Sequence, residues 1–198
     1  MVKEHASRRA YNSPRRQQQA AATRRTILEA AERLFLQDGY PATTMEAIAA
    51  EAGVSLKTAY LPFSTKSGLL RALWDLRLKS DDADAPVVQH EWFREVLEEP
   101  DPVRKLQLNA RNSAAAKTRI GGLFRVIRGA AETDADCGAL WRLIQSDFYA
   151  NQQMIVESIH RGGGLRRGLS VATGTDILWT LNHPDAWMLL AGQRGWTA

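Results

Sequence analysis

The stretch "VSLKTAYLPFSTK" (54–66) sets a hydroxyl at Ser55, an ammonium at Lys57, a second hydroxyl at Thr58 and a phenol at Tyr60 within six positions, with Lys66 closing the run. None of these groups has the partners of an activated nucleophile. Together they offer hydrogen-bond donation and positive charge, which is the chemistry that meets phosphates and the edges of bases. Covalent chemistry finds little support elsewhere. His5, His90, His160 and His183 are scattered, no HExxH or GxSxG occurs, and the single cysteine, Cys137, has no histidine near it in sequence. The glycine-rich "GGGLRRG" (162–168) lacks a preceding strand and a phosphate-binding lysine, so it reads as a loop between helices. No catalytic residue, metal site or cofactor is expected.

The elements that position the run can be traced from residue 23. Ile27, Leu28, Ala31, Leu34 and Phe35 fall on one face of an amphipathic helix, ended by Gly39 and Pro41. A second helix opens at Thr43, whose hydroxyl is placed to cap while Glu46 reaches back, and buries Met45, Ile48, Ala49 and Ala52. Gly53 breaks it. Ala49, four residues upstream, is small enough for two helices to cross closely, and the turn needs a residue that accepts positive φ. Ser55 caps a third helix, with Ala59, Tyr60 and Phe63 turned back on the first two, and Pro62 keeps it short. Thr65 or Ser64 caps a fourth, with Leu69, Leu70, Leu73, Trp74 and Leu76 as its stripe. The acidic run Asp81-Asp82-Ala83-Asp84 and Pro86 end it.

The remainder is helical throughout. Val88, Trp92, Phe93, Val96 and Leu97 mark one helix. Val103, Leu106 and Ala110 begin another, Ile120 to Ile127 mark a third, and a long one runs from about Cys137 to Ile159. Ile177, Leu178 and Leu181 open the last. No alternating strand pattern occurs, so the expected fold class is all-α.

Composition narrows the partners. The 198 residues are 44% apolar and 24% charged, ordinary for a soluble globular chain. One cysteine forbids an intramolecular disulfide, and no run reaches the roughly 20 apolar residues of a membrane helix. A cytoplasmic location fits. The net charge of +4 is uneven: residues 1–25 hold seven basic side chains against Glu4, while the rest hold 19 basic against 21 acidic. A basic arm over 1–22 suggests an anionic partner, nucleic acid first, with a solvated tail as the alternative.

The run "ILEAAERLFLQDGYPATTMEAIAAEAGVSLKTAYLPFSTKSGLL" resembles the N-terminal domain of the TetR (tetracycline-repressor-like) family of bacterial transcriptional regulators. The elements that match are spaced along it: "AAxxLFxxxGYxATTM", "IAxxAGVS", the aromatics of "AYLPF", and "KSGLL". The resemblance implies a helix-turn-helix reader over 23–68 and a helical effector-binding and dimerisation domain over 69–198. Thr43 and Thr44 would approach a phosphate. Ser55, Leu56, Lys57 and Thr58 would face a major groove, and Tyr60 and Lys66 would contact the backbone of the same half-site. Half-buried packing is the other reading of Tyr60, and capping that of Thr43. Two positions depart from the family: Pro62 stands where a polar residue is common, and Gly68 where an acid is common.

Two copies paired across a palindromic operator would double the contacts. The resemblance implies that the last long helices form the homodimer interface, with Ala139, Leu143, Ile155, Ile159, Ile177, Trp179 and Leu181 as candidates and intrachain core as their alternative. All six tryptophans follow the DNA-reading segment. Trp92, Phe93, Phe124, Trp141 and Phe148, with the polar Asn109, Arg125, Asp147 and Asn151, are candidates for a pocket that takes an apolar or aromatic effector. The expected function is a repressor released from its operator by a small molecule. The alternative is a dimeric regulator without an effector; repression and activation are not distinguished.

Overall fold

The computed structural model describes residues 14–79 and 87–196. Lys3, Arg8 and Arg9 of the basic arm, and the acidic run before Pro86, lie outside these residues. The helices are α1 (Pro14–Ala42), α2 (Met45–Glu51), α3 (Leu56–Tyr60), α4 (Lys66–Lys79), α5 (Glu91–Glu98), α6 (Pro102–Ala130), α7 (Ala135–Arg161), α8 (Val171–Leu181) and α9 (Pro184–Trp187). No strand occurs among the described residues.

Helix α1 begins earlier than its apolar stripe. Arg15 to Ala22, assigned from sequence to a flexible arm, are helical and exposed. The segment is rich in strong helix formers and Pro14 sits in the first turn, where its missing N–H costs nothing, so propensity builds a helix with no buried face to announce it. Gly39 (φ 79°) breaks α1 near its end.

Helix α6 is one helix of 29 residues, where two separate segments were expected. Its first turns are also inverted. Val103 and Leu106 are exposed, whereas Lys105, Asn109 and Lys117 are buried. Neighbouring helices offer polar partners on that side: Lys105 Nζ donates to the Leu97 carbonyl at 2.9 Å and to Ser158 of α7. Burial pulls its pKa below the usual lysine value.

One apolar core spans both proposed domains. Ile27, Leu28 and Phe35 of α1, Leu69 and Leu73 of α4, Leu123 and Ile127 of α6, and Leu140 and Ile144 of α7 belong to a single cluster. The boundary at residue 68 therefore falls inside α4 without a gap in packing. Two polar links fasten the junction. Tyr40 Oη donates to Asp134 at 2.7 Å, and Ser67 Oγ donates to Asp136 at 3.0 Å. A smaller cluster joins Phe93 and Val96 of α5 to Ile155 and Ile159 of α7.

Candidate nucleic-acid interface and ligand cavity

Helices α2 and α3 pack against each other, and Ala49 and Ala59 are both buried. Gly53 turns the chain between them at φ 66°, and the Val54 N–H closes the turn on the Ala49 carbonyl at 3.0 Å. The small residue and the left-handed glycine do what their spacing predicts. Ser55 caps α3 by accepting from the Thr58 N–H at 3.1 Å, and the two hydroxyls bond each other at 2.7 Å. Lys57, Leu56 and Tyr60 are exposed and Thr58 is half-buried, so α3 turns an ammonium, a phenol and the Ser55–Thr58 hydroxyl pair outward. Tyr60 does not turn back with Ala59 and Phe63, which are buried.

Two expected phosphate contacts change character. Thr43 is 2% exposed and donates its hydroxyl to the Gly39 carbonyl at 2.8 Å. The cap of α2 is Thr44, whose oxygen accepts from the Ala47 N–H at 3.1 Å. The cap moves by one residue because the broken end of α1 leaves the Gly39 carbonyl open to the first threonine. Lys66 Nζ donates to the carbonyls of Tyr40 and Thr43 at 2.7 and 2.8 Å and lies 4.1 Å from the centre of the Tyr40 ring. Its charge closes the end of α1 instead of pointing outward. Gly68 has its own reason: a Cβ there would come within 2.5 Å of the Phe63 carbonyl oxygen. That glycine lets α4 start tightly against the preceding turn, with Thr65 as its cap through the Gly68 N–H at 2.9 Å.

At the other end of α4 a cavity of about 570 Å³ opens between α4, α5, α6 and α7, within the size range of small-molecule sites. Trp92, Phe93, Phe124 and Phe148 line it, as do Asn109, Asp147 and Asn151. Trp74 of α4 joins the same wall. Two expected residues stand elsewhere. Trp141 packs edge-on to Phe124 at 4.8 Å, partly buried against the core. Arg125 is exposed on the outer face of α6, because one residue past Phe124 is about 100° further around the helix.

Sequence reasoning missed Lys117, Gln152 and Asn182. Lys117 lines the cavity, is 7% exposed, and donates to Asn182 Oδ1 at 2.5 Å. Burial lowers its pKa to about 8. The signal was present: Asn109, Ser113 and Lys117 recur every four residues on the face that continues as Ile120 and Phe124. A lysine on a helix normally reads as solvated, which concealed it. Cys137 is buried, and desolvation pushes its thiol up to about 11, in keeping with a core residue.

Of the dimer candidates, Ala139, Leu143, Ile177 and Leu181 are exposed, Leu181 at 74%. Ile155 and Ile159 are buried under α5 within this chain, and Trp179 packs against His183 at 5.1 Å.

Comparison with known proteins bears on this arrangement. Residues 27–73 match the family described as "Bacterial regulatory proteins, tetR family". The chain is 33% identical over 164 residues to the HTH-type transcriptional regulator TtgR of Pseudomonas putida, covering 81% of this chain and 71% of that protein. Among solved structures, NalD of Pseudomonas aeruginosa, the secondary repressor of the MexAB-OprM multidrug efflux pump, shares 22% identity at a TM-score of 0.62, covering 85% of each chain. A SmeT–triclosan complex aligns at 0.66 with 20% identity, over 85% of this chain and 81% of that one. These two likenesses concern the fold. Among the described residues no helix is long and apolar enough to cross a membrane.

Proposed function

This chain belongs to the TetR family of bacterial regulatory proteins and is a DNA-binding transcriptional regulator, and on that premise we propose that it works as a homodimeric repressor whose hold on a palindromic operator is loosened by a small molecule. One observation carries the reading: α4 has the DNA-reading unit at its first residue and the cavity wall at its far end. Lys66 holds the carbonyls of Tyr40 and Thr43, while Trp74, two turns on, lines the cavity. A ligand that favours one placement of α4 thereby favours one placement of α3. Operator affinity then falls by the differential binding of the ligand to the two states, typically about 5- to 150-fold.

In this reading Lys57, Ser55 and Thr58 meet the groove with Leu56 beside them, and Thr44 and Tyr60 approach the backbone. The exposed face of Leu143, Ile177 and Leu181 pairs with a second copy, setting the two recognition helices about one turn of DNA, ~34–36 Å, apart. Selection of bound duplexes from random double-stranded DNA, followed by sedimentation of the complex, tests it. An inverted repeat bound by two chains is expected. Unsymmetrical sites bound by a monomer would overturn the dimeric reading. Fluorescence anisotropy of the selected duplex against a small-molecule library then tests release, and a library without effect favours a regulator that has no effector.

A further inference from the structure

The polar end of the cavity has a definite hydrogen-bonding polarity, fixed by Lys117. A lysine ammonium only donates, so the Asn182 atom 2.5 Å away must be its carbonyl oxygen. The other side of that amide is then NH2, which donates to Ser113 Oγ at 2.9 Å and to Gln152 Oε1 at 3.1 Å. Gln152 Oε1 also accepts from Asn109 Nδ2 at 3.4 Å, and Asn109 Oδ1 accepts from Ser113 at 3.4 Å. Each amide orientation follows from the one before it.

Every side-chain carbonyl of the network is therefore occupied, and what remains unused is donors. Lys117 has three N–H groups and one partner. Gln152 Nε2 makes no hydrogen bond among the described residues, both amide contacts falling on its Oε1. No carboxylate lies within ion-pair distance of Lys117 among the described residues. Asp75, on the same cavity wall, is paired with Arg71 at 3.3 Å, and Asp147 is the exposed carboxylate of the lining. A buried ammonium without a counter-charge is costly, and the cation persists because at pH 7 its lowered pKa of about 8 still leaves it protonated. Trp92, Phe93, Phe124 and Phe148 line the same cavity and give it an apolar wall.

We infer that the cavity accepts an amphipathic organic acid, whose carboxylate caps the unpaired Lys117 ammonium and whose hydrocarbon body lies against the aromatic wall. This deepens the ligand-responsive reading and rests on it for its biological consequence, although binding itself is testable alone. Acceptors are what the site lacks, and a carboxylate supplies two oxygens to the free donors of Lys117 and Gln152.

The test uses the full chain and two matched sets of probes: decanoate, 1-decanol and decyltrimethylammonium, then 2-naphthoate and its methyl ester. Tryptophan fluorescence and calorimetry report binding. The acids should bind about tenfold or more tighter than their neutral partners, the scale of one charge-assisted hydrogen bond, and the cation should not bind. In Lys117→Met the acids should lose that advantage while 1-decanol and the ester keep their affinity; circular dichroism checks the variant's fold. Equal binding of acids and neutral probes to the unmodified chain overturns the inference, as does failure of any acid to bind. The unmodified chain alone decides this if the variant does not fold. Operator release is read separately. Acids that bind through Lys117 without displacing DNA leave the site assignment standing and overturn ligand control. Release by neutral compounds alone does the reverse.

Discussion

Asp134 joins two halves of the molecule, and its removal has a magnitude that can be worked out. One carboxylate oxygen caps α7 by accepting from the N–H groups of Asp136 and Cys137, each at 3.0 Å. The other accepts from Tyr40 Oη at 2.7 Å across 94 residues of chain. Loss of the cap in Asp134→Ala costs about 1 kcal/mol. Loss of a hydrogen bond to a charged acceptor costs about 1.5 kcal/mol, at the low end of its range because the carboxylate is half-exposed. Together these give about 2–3 kcal/mol, or a fall in Tm of about 5–10 °C for a chain of this size.

Tyr40→Phe keeps the cap and removes only the cross-chain bond, so it should cost about half as much. In the double variant the Asp134 substitution should cost only the cap, leaving a coupling of about 1–1.5 kcal/mol in a double-mutant cycle of denaturant unfolding. The Tyr40 bond is the largest influence holding the Asp134 carboxyl below the usual carboxylate range. A depressed native pKa stabilises above the unfolded value, near 4, and that stability is lost as pH falls through the native one. The gap between wild type and Asp134→Ala should therefore be full at neutral pH and close in acid. Additive effects of the two substitutions would refute the argument, as would a gap that widens on acidification.

Four further outcomes are expected. Lys117→Met should raise thermal stability at pH 7. The buried charge costs about 3 kcal/mol there, partly offset by the orphaned Asn182 oxygen. Because the native pKa is lowered to about 8 against about 10.4 unfolded, the wild type gains stability as pH rises between these values, and melting curves should show the variant's advantage gone by about pH 10. Gly68→Ala should destabilise by about 1–3 kcal/mol, because its Cβ meets main chain that cannot step aside; unaltered urea unfolding would contradict this. Lys57→Ala should weaken operator binding and lower the slope of log affinity against log salt by about 1, with Tm unchanged. Lys66→Ala should instead lower Tm, since its ammonium closes the carbonyls of Tyr40 and Thr43; equal behaviour of the two lysines in salt titrations and melts would count against their separate roles.

The helix-turn-helix was legible because its rules are short-ranged. Ala49, Gly53, Ser55 and Ala59 act on partners within a few residues, so spacing alone places the turn, the cap and the crossing. The outward Lys57 follows from the same local geometry, whereas the helical spacing turned Tyr60 inward and the structure leaves it exposed. Four aromatic residues of the cavity were also legible, because large apolar side chains in helical register have few places to go. Tertiary structure decided what depends on distant chain. Lys57 and Lys66 are the same residue type nine positions apart, and only the carbonyls of Tyr40 and Thr43, 26 and 23 residues away at the end of α1 and just past it, turn one of them inward. Lys117 is buried because Asn182, 65 residues on, supplies an oxygen where solvent would otherwise be required. A polar side chain goes wherever its hydrogen bonds are satisfied, and when the partner lies far along the chain the local pattern carries no record of it.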